Sequence, residues 1–129
     1  MIEFHLDPRS GVAPYLQIVQ QVRRALLLGL LVEGDRLPTV KQVVAKVAIN
    51  PNTVLKAYRD LEREGLVAPK PGVGTFVTKT LAQASPDEHE PLRRQLRQWL
   101  DQARAAGLSD AGIEALFHST FRDHAEEEP

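Results

Sequence analysis

The dipeptide Asn50-Pro51 lies between two segments with one-sided apolar faces, and it limits what this chain can fold into. A residue that precedes proline is pushed out of the helical region of backbone space, so a helix arriving from the N-terminal side must stop there. Asparagine is also a favoured N-cap and proline a favoured first-turn residue, so a second helix begins at the same place. On the near side, Thr39 and Gln42 form a T-x-x-Q capping box, and Val40, Val43, Val44 and Val47 follow at helical spacing. On the far side the spacing predicts a helix from Pro51 to about Glu64, with Gly65 as its stop. Two short helices joined by a turn of about four residues make a helix-turn-helix.

Behind Gly65 the pattern turns extended. Residues 66–70 and 75–78 flank Pro71-Gly72-Val73-Gly74, which predicts a hairpin with a glycine-rich tip, a wing. At the N-terminus, Ile2, Phe4 and Leu6 alternate with Glu3, His5 and Asp7, the pattern of a short half-buried strand. A helix is expected from Pro14, with Leu16, Val19, Val22, Ala25 and Leu26 on one side and Gly29 as its stop; Gly34-Asp35 marks a turn. Ser85-Pro86-Asp87 and Pro91 predict a linker or a broken helix start. Beyond them Leu92, Leu96, Trp99, Leu100 and Ala103 predict a helix ended by Gly107. Ser109 caps a last helix with Ile113, Leu116, Phe117 and Phe121 on one face, and residues 125–129 are expected to be disordered. The fold class is therefore mainly α with a small β-hairpin. A winged helix-turn-helix domain spans 1–79, and a short two-helix C-terminal dimerisation region with an acidic tail spans 80–129.

The net charge of −1 conceals a division. Residues 1–79 carry 11 Lys/Arg against 7 Asp/Glu, whereas residues 80–129 carry 5 Arg against 10 Asp/Glu. The whole surplus of the first part falls within residues 39–79, which hold 7 Lys/Arg and 3 Asp/Glu. A local basic patch of this kind attracts phosphate. On the second helix, Val54, Ala57, Tyr58 and Leu61 share the core face, while Asn52, Lys56, Arg59 and Arg63 form the opposite stripe, bordered by Thr53 and Leu55. A recognition helix needs this division, one face anchored and the other offering amide, hydroxyl and cationic groups to a groove. Asn52, Thr53 and Lys56, nearest its N-terminus, are expected at bases or nearby phosphates, and Arg59 and Arg63 at the backbone or in ion pairs. In the wing, Lys70 adds a cation, and glycines let the main chain approach a groove closely.

The runs Gly34-Asp35-Arg36-Leu37-Pro38-Thr39, Asn50-Pro51-Asn52-Thr53-Val54, Ala57-Tyr58-Arg59-Asp60-Leu61-Glu62-Arg63-Glu64-Gly65 and Gly74-Thr75-Phe76-Val77 resemble the winged-helix domain of GntR-family transcription regulators. Phe4-His5-Leu6-Asp7, Pro14-Tyr15-Leu16-Gln17-Ile18 and the short C-terminal part resemble the YtrA subfamily. The resemblance implies a homodimeric regulator, usually a repressor, often of transporter genes, bound to a palindromic operator in double-stranded DNA. It implies DNA contacts at Lys41, then Asn50, Asn52, Thr53 and Lys56, then Gly72 and Thr75. Three positions depart from the family pattern: Lys41 where Arg is common, Ala48 at a turn where Gly is usual, and Val73 at a wing tip that is often basic. Ala48 is expected to strain or reshape its turn.

The C-terminal stripes of Leu92, Leu96, Trp99, Leu100, Ile113, Leu116, Phe117 and Phe121 are expected to pack against a second copy. An effector pocket lined by Trp99, Leu116, Phe117 and Phe121 is the alternative, and no ligand is named for it. Other readings are weaker. His5, His89, His118 and His124 have no recognised ligand spacing and no catalytic motif is evident, so neither an enzyme nor a cofactor or metal site is expected, and a metal-sensing regulator is a minority reading. A winged helix used for protein contact usually lacks a basic stripe. With no cysteine, no secretory signal and no apolar run near the roughly 20 residues of a membrane span, the expected location is the cytoplasm, with no membrane partner.

Overall fold

The computed structural model describes residues 1–127. Its elements run α1 (Pro14–Leu27), α2 (Val40–Val47), α3 (Pro51–Arg63), β1 (Val67–Lys70), β2 (Gly74–Val77), α4 (Pro86–Ala105) and α5 (Asp110–Glu127). The chain divides into two compact units, Met1–Glu88 and a second from His89 on.

In the first unit the local signals act as the residues demand. The Thr39 hydroxyl accepts from the Gln42 amide at 3.1 Å and the Gln42 side chain accepts from the Thr39 amide at 2.9 Å, so the capping box closes from both directions. Pro14 and Pro51 occupy the first turns of α1 and α3, where their missing N–H groups would have had no helical partner. At the end of α3, the Gly65 amide bonds the Glu62 carbonyl and the Leu66 amide the Leu61 carbonyl, a reversal that needs the positive φ of Gly65 (73°). The core gathers Ile18, Val22 and Leu26 of α1, Val43 of α2, Val54 and Leu61 of α3, and Val67 and Val77 of the hairpin. Each such aliphatic side chain contributes roughly 1.5–3 kcal/mol through burial. An Arg23–Glu64 ion pair links α1 to α3 outside the core.

Three details differ from the sequence expectation. The N-terminal residues alternate in burial as expected, with Phe4 buried and Glu3 and His5 exposed, yet they form no strand. No neighbouring strand lies beside them; two glutamines of α1 stand in for one. The Gln21 carboxamide accepts from the His5 amide (3.0 Å) and donates to its carbonyl (2.6 Å), and Gln17 does the same for Asp7 (2.8 and 2.9 Å). Two residues along an extended chain and four along a helix both cover about 6 Å, which is why this pairing fits. Next, residues 34–37 do more than turn. Their backbone pairs with the free edge of β2, through Leu37 to Thr75 (2.9 Å), Val77 to Asp35 (2.8 Å) and an Arg36–Phe76 bridge. The wing is thus backed on both edges of β2.

The third difference concerns the end of the first unit and the whole of the second. α4 begins at Pro86 and carries Pro91 within it, because Ser85 caps its start (Glu88 amide to Ser85 Oγ, 3.3 Å) and Asp87 and Glu88 suit the positive end of the helix. α5, capped by Ser109 as expected (Gly112 amide to Oγ, 3.1 Å), continues through Glu127 rather than fraying at residue 125. Ala125, Glu126 and Glu127 are all good helix formers; Glu128 and Pro129 lie outside the described residues. Ala103 and Ile113 are buried in this unit, whereas Leu92, Leu96, Leu116, Phe117 and Phe121 are exposed.

Candidate nucleic-acid interface

The turn between α2 and α3 aims the second helix. Ala48 closes α2 in the left-handed conformation (φ 53°, ψ 47°), so the turn keeps the glycine-type shape and alanine bears the strain. Asn50 then caps α3, its Oδ1 accepting from the Asn52 amide at 2.8 Å. That bond commits the carboxamide oxygen and leaves the NH2 group of Asn50 as its outward donor.

Along α3, Val54, Ala57, Tyr58 and Leu61 are buried, and Asn52, Lys56, Arg59 and Arg63 are exposed on the opposite side. Thr53 and Leu55 border the stripe, half-buried. Its cations differ in their surroundings. Lys56 rests its ammonium 3.9 Å from the centroid of the Tyr15 ring, at the start of α1. Arg63 is engaged by Asp60 at 2.7 Å. Arg59 faces a groove of about 320 Å³ between the start of α2 and the wing, shared with Thr39 and Thr75. Lys41 is exposed in the first turn of α2. In the wing, Lys70 lies 4.6 Å from the Phe76 ring centroid, and Gly72 and Val73 are exposed at the tip.

Of the sequence-selected residues, Arg59 of α3 and Thr75 of the wing share one groove, whereas Lys56 leans toward α1 and Lys70 lies over Phe76. Two further residues touch members of the selected set or the wing strand beside them. Arg36 pairs with Phe76 and lays its guanidinium over Gly74, where an added Cβ would come within 2.9 Å of Nε. Tyr15 joins through Lys56. The exposed Arg36 beside the buried Leu37 is an alternation that could have revealed the first; Tyr15 depends on how α1 and α3 align. Among the described residues no group of three His, Asp or Glu side chains gathers as metal ligands, and no helix is long and apolar enough to cross a membrane.

A helix-turn-helix backed by a wing, with a cationic stripe on its second helix, defines the class: a winged helix-turn-helix DNA-binding protein. Residues 14–77 match the family described as Bacterial regulatory proteins, gntR family. The HTH-type transcriptional repressor YtrA of Bacillus subtilis is 37% identical over 107 residues, 80% of each chain. The solved structure of YtrA from Sulfolobus acidocaldarius, a GntR-family transcription factor, superposes with a TM-score of 0.54 at 26% identity, over 93% of this chain and 97% of that one. The DNA-binding domain of AraR, solved in complex with operator ORX1, shares the fold at 23% identity (TM-score 0.53), covering 60% of this chain and 100% of that one. This chain belongs to the GntR family of bacterial regulatory proteins, and its similarity to the YtrA proteins runs through both of its units. It is a DNA-binding transcription regulator, and its relatives are regulators rather than enzymes.

Proposed function

We propose that the protein is a cytoplasmic homodimeric repressor that binds a palindromic operator, with transporter genes among its targets. The DNA-contacting set is Lys41, Asn50, Asn52, Thr53, Lys56, Arg59, Lys70, Gly72 and Thr75. The observation that carries this reading is the exposed α3 stripe of amide and cationic groups opposite the buried face, with Arg59 in the groove between the start of α2 and the wing. Asn52, whose carboxamide is exposed, suits bidentate pairing with adenine, and Lys56 suits the guanine acceptors. The repressor assignment rests on the B. subtilis relative of that name.

Dimerisation is assigned to Leu92, Leu96, Trp99, Leu100, Ile113, Leu116, Phe117 and Phe121. In one copy Leu92, Leu96, Leu116, Phe117 and Phe121 stay 42–66% exposed, an apolar surface that water does not favour. A second copy would cover it and would supply the second recognition helix that a palindrome needs. A groove of about 550 Å³ lined by Trp99, Leu116, Phe117 and Phe121 also supports a small-effector reading of the same surface.

The test is in vitro selection of bound sequences, followed by titration of the selected duplex. Lys56→Ala should weaken operator binding by about 1–3 kcal/mol, and affinity should fall steeply with salt as released counterions cease to drive association. A flat salt response would instead favour the use of this winged helix for protein contact.

A further inference from the structure

We propose that Tyr15 is a positioning residue for DNA reading: it holds the Lys56 ammonium on its ring, and Lys56 engages DNA from that seat. The proposal rests on the DNA-contact role given to Lys56 above. The observation is the 3.9 Å separation between Nζ and the ring centroid, well inside the roughly 6 Å reach of a cation–π contact. Tyr15 is half-buried and packs against the main core, so its ring is braced by the fold while Lys56 stays exposed.

The alignment of the two helices makes this seat a built one. Tyr15 meets Lys56 and Arg23 meets Glu64, so both α1–α3 side-chain links join residues separated by 41 in the sequence. They lie eight residues apart on each helix, about 12 Å at the helical rise. α1 and α3 thus run side by side in the same direction, clasped at two levels, and the upper clasp uses a residue of the outward stripe. An unsupported lysine has four rotatable bonds and loses rotamer freedom when it is fixed. The ring restricts that freedom before DNA arrives. It occupies one side of the ammonium, whose three N–H donors can still reach an acceptor on the other.

The experiment compares Tyr15→Phe, Tyr15→Leu, Lys56→Ala and the Tyr15→Leu/Lys56→Ala double variant in the full chain. Each is titrated with the selected operator and with a random duplex. Tyr15→Phe keeps the aromatic face and should bind the operator as the unaltered protein does. Tyr15→Leu should lose about threefold to fivefold in operator affinity and little on random duplex. That loss should vanish in the Lys56→Ala background. Additive losses, or a Tyr15→Phe defect equal to that of Tyr15→Leu, would overturn the proposal. An inert Lys56→Ala would instead remove the underlying contact, a distinct result. The ring-current shift of the Lys56 ε-methylene protons gives a second readout that does not depend on a variant folding. It should persist when operator is added; its loss would mean that Lys56 leaves the ring to bind.

Discussion

The Tyr58 hydroxyl donates a 2.6 Å hydrogen bond to the carbonyl of Pro38, joining the buried face of α3 to the residue just ahead of the α2 cap. The two helices of the motif are therefore held by a polar bond as well as by apolar packing, and the bond lies beneath the surface proposed to meet DNA. Tyr58→Phe keeps the ring and strands the carbonyl, so it should cost about 1–2 kcal/mol in urea unfolding at neutral pH. A loss below about 0.3 kcal/mol would mean that the carbonyl is equally well served by water.

The same residue predicts an alkaline limit. Burial raises the Tyr58 phenol well above its ordinary 10.0, because the charged form would be stripped of water. The folded state thus favours the protonated phenol, and its contribution is fully present below pH 10. It is lost as pH rises from there toward the folded-state value, at up to about 1.4 kcal/mol per pH unit. Unfolding free energies measured at about pH 8 and pH 11 should diverge more for the unaltered protein than for Tyr58→Phe.

Ala48 offers a gain. Its left-handed conformation costs an L-residue roughly 1–2 kcal/mol, and glycine escapes that cost while adding entropy to the unfolded chain. The net expectation for Ala48→Gly is stabilisation of about 0.5–1 kcal/mol, read as a higher melting temperature with operator affinity unchanged. A lower melting temperature would mean that the methyl group packs usefully in the turn.

The signals that were legible in the sequence are local. Thr39 with Gln42, Asn50 with Pro51, and Ser109 each announce a helix start within four residues of themselves, and all three caps form. The α3 stripe was legible for the same reason, since periodicity alone separates Asn52 and Lys56 from Val54 and Leu61. Pairings that depend on distant chain were not. Residues 34–37 find their partner in β2, about 40 positions away, and too few residues alternate there to announce a strand. Gln17 and Gln21 look like ordinary polar positions of an amphipathic helix until the N-terminal residues lie along them. The seat of Lys56 on Tyr15 follows from helix alignment, which no single segment encodes.

Gly74 should be intolerant of a side chain. Its φ of 148° is costly for any L-residue, and an added Cβ would press on the Arg36 guanidinium. Gly74→Ala should lower stability by about 1–3 kcal/mol through backbone strain and weaken operator binding as the wing strand shifts, whereas the exposed Arg36 side chain can swing aside. Arg36→Ala separates the two sources: it removes the neighbour and a cation but leaves the backbone strain, so the Gly74→Ala/Arg36→Ala pair should recover little of the stability and none of the affinity. Full recovery of binding would place Arg36 outside the interface.

Phe121 tests the assembly. At 66% exposure it contributes little to the fold of a single copy, although its ring stacks on Phe117 with centroids 6.0 Å apart. A charge there should leave the monomer intact and penalise any apolar contact made by a second copy. Phe121→Glu is expected to shift sedimentation from dimer to monomer while the melting temperature of the winged domain stays within a few degrees. Operator binding should then fall more than tenfold, since two half-sites are no longer engaged by one linked unit. A dimer that survives Phe121→Glu and also Leu96→Asp would locate the contact between copies elsewhere. The groove lined by Trp99 and Phe117 would then be better read as a pocket for a small apolar molecule.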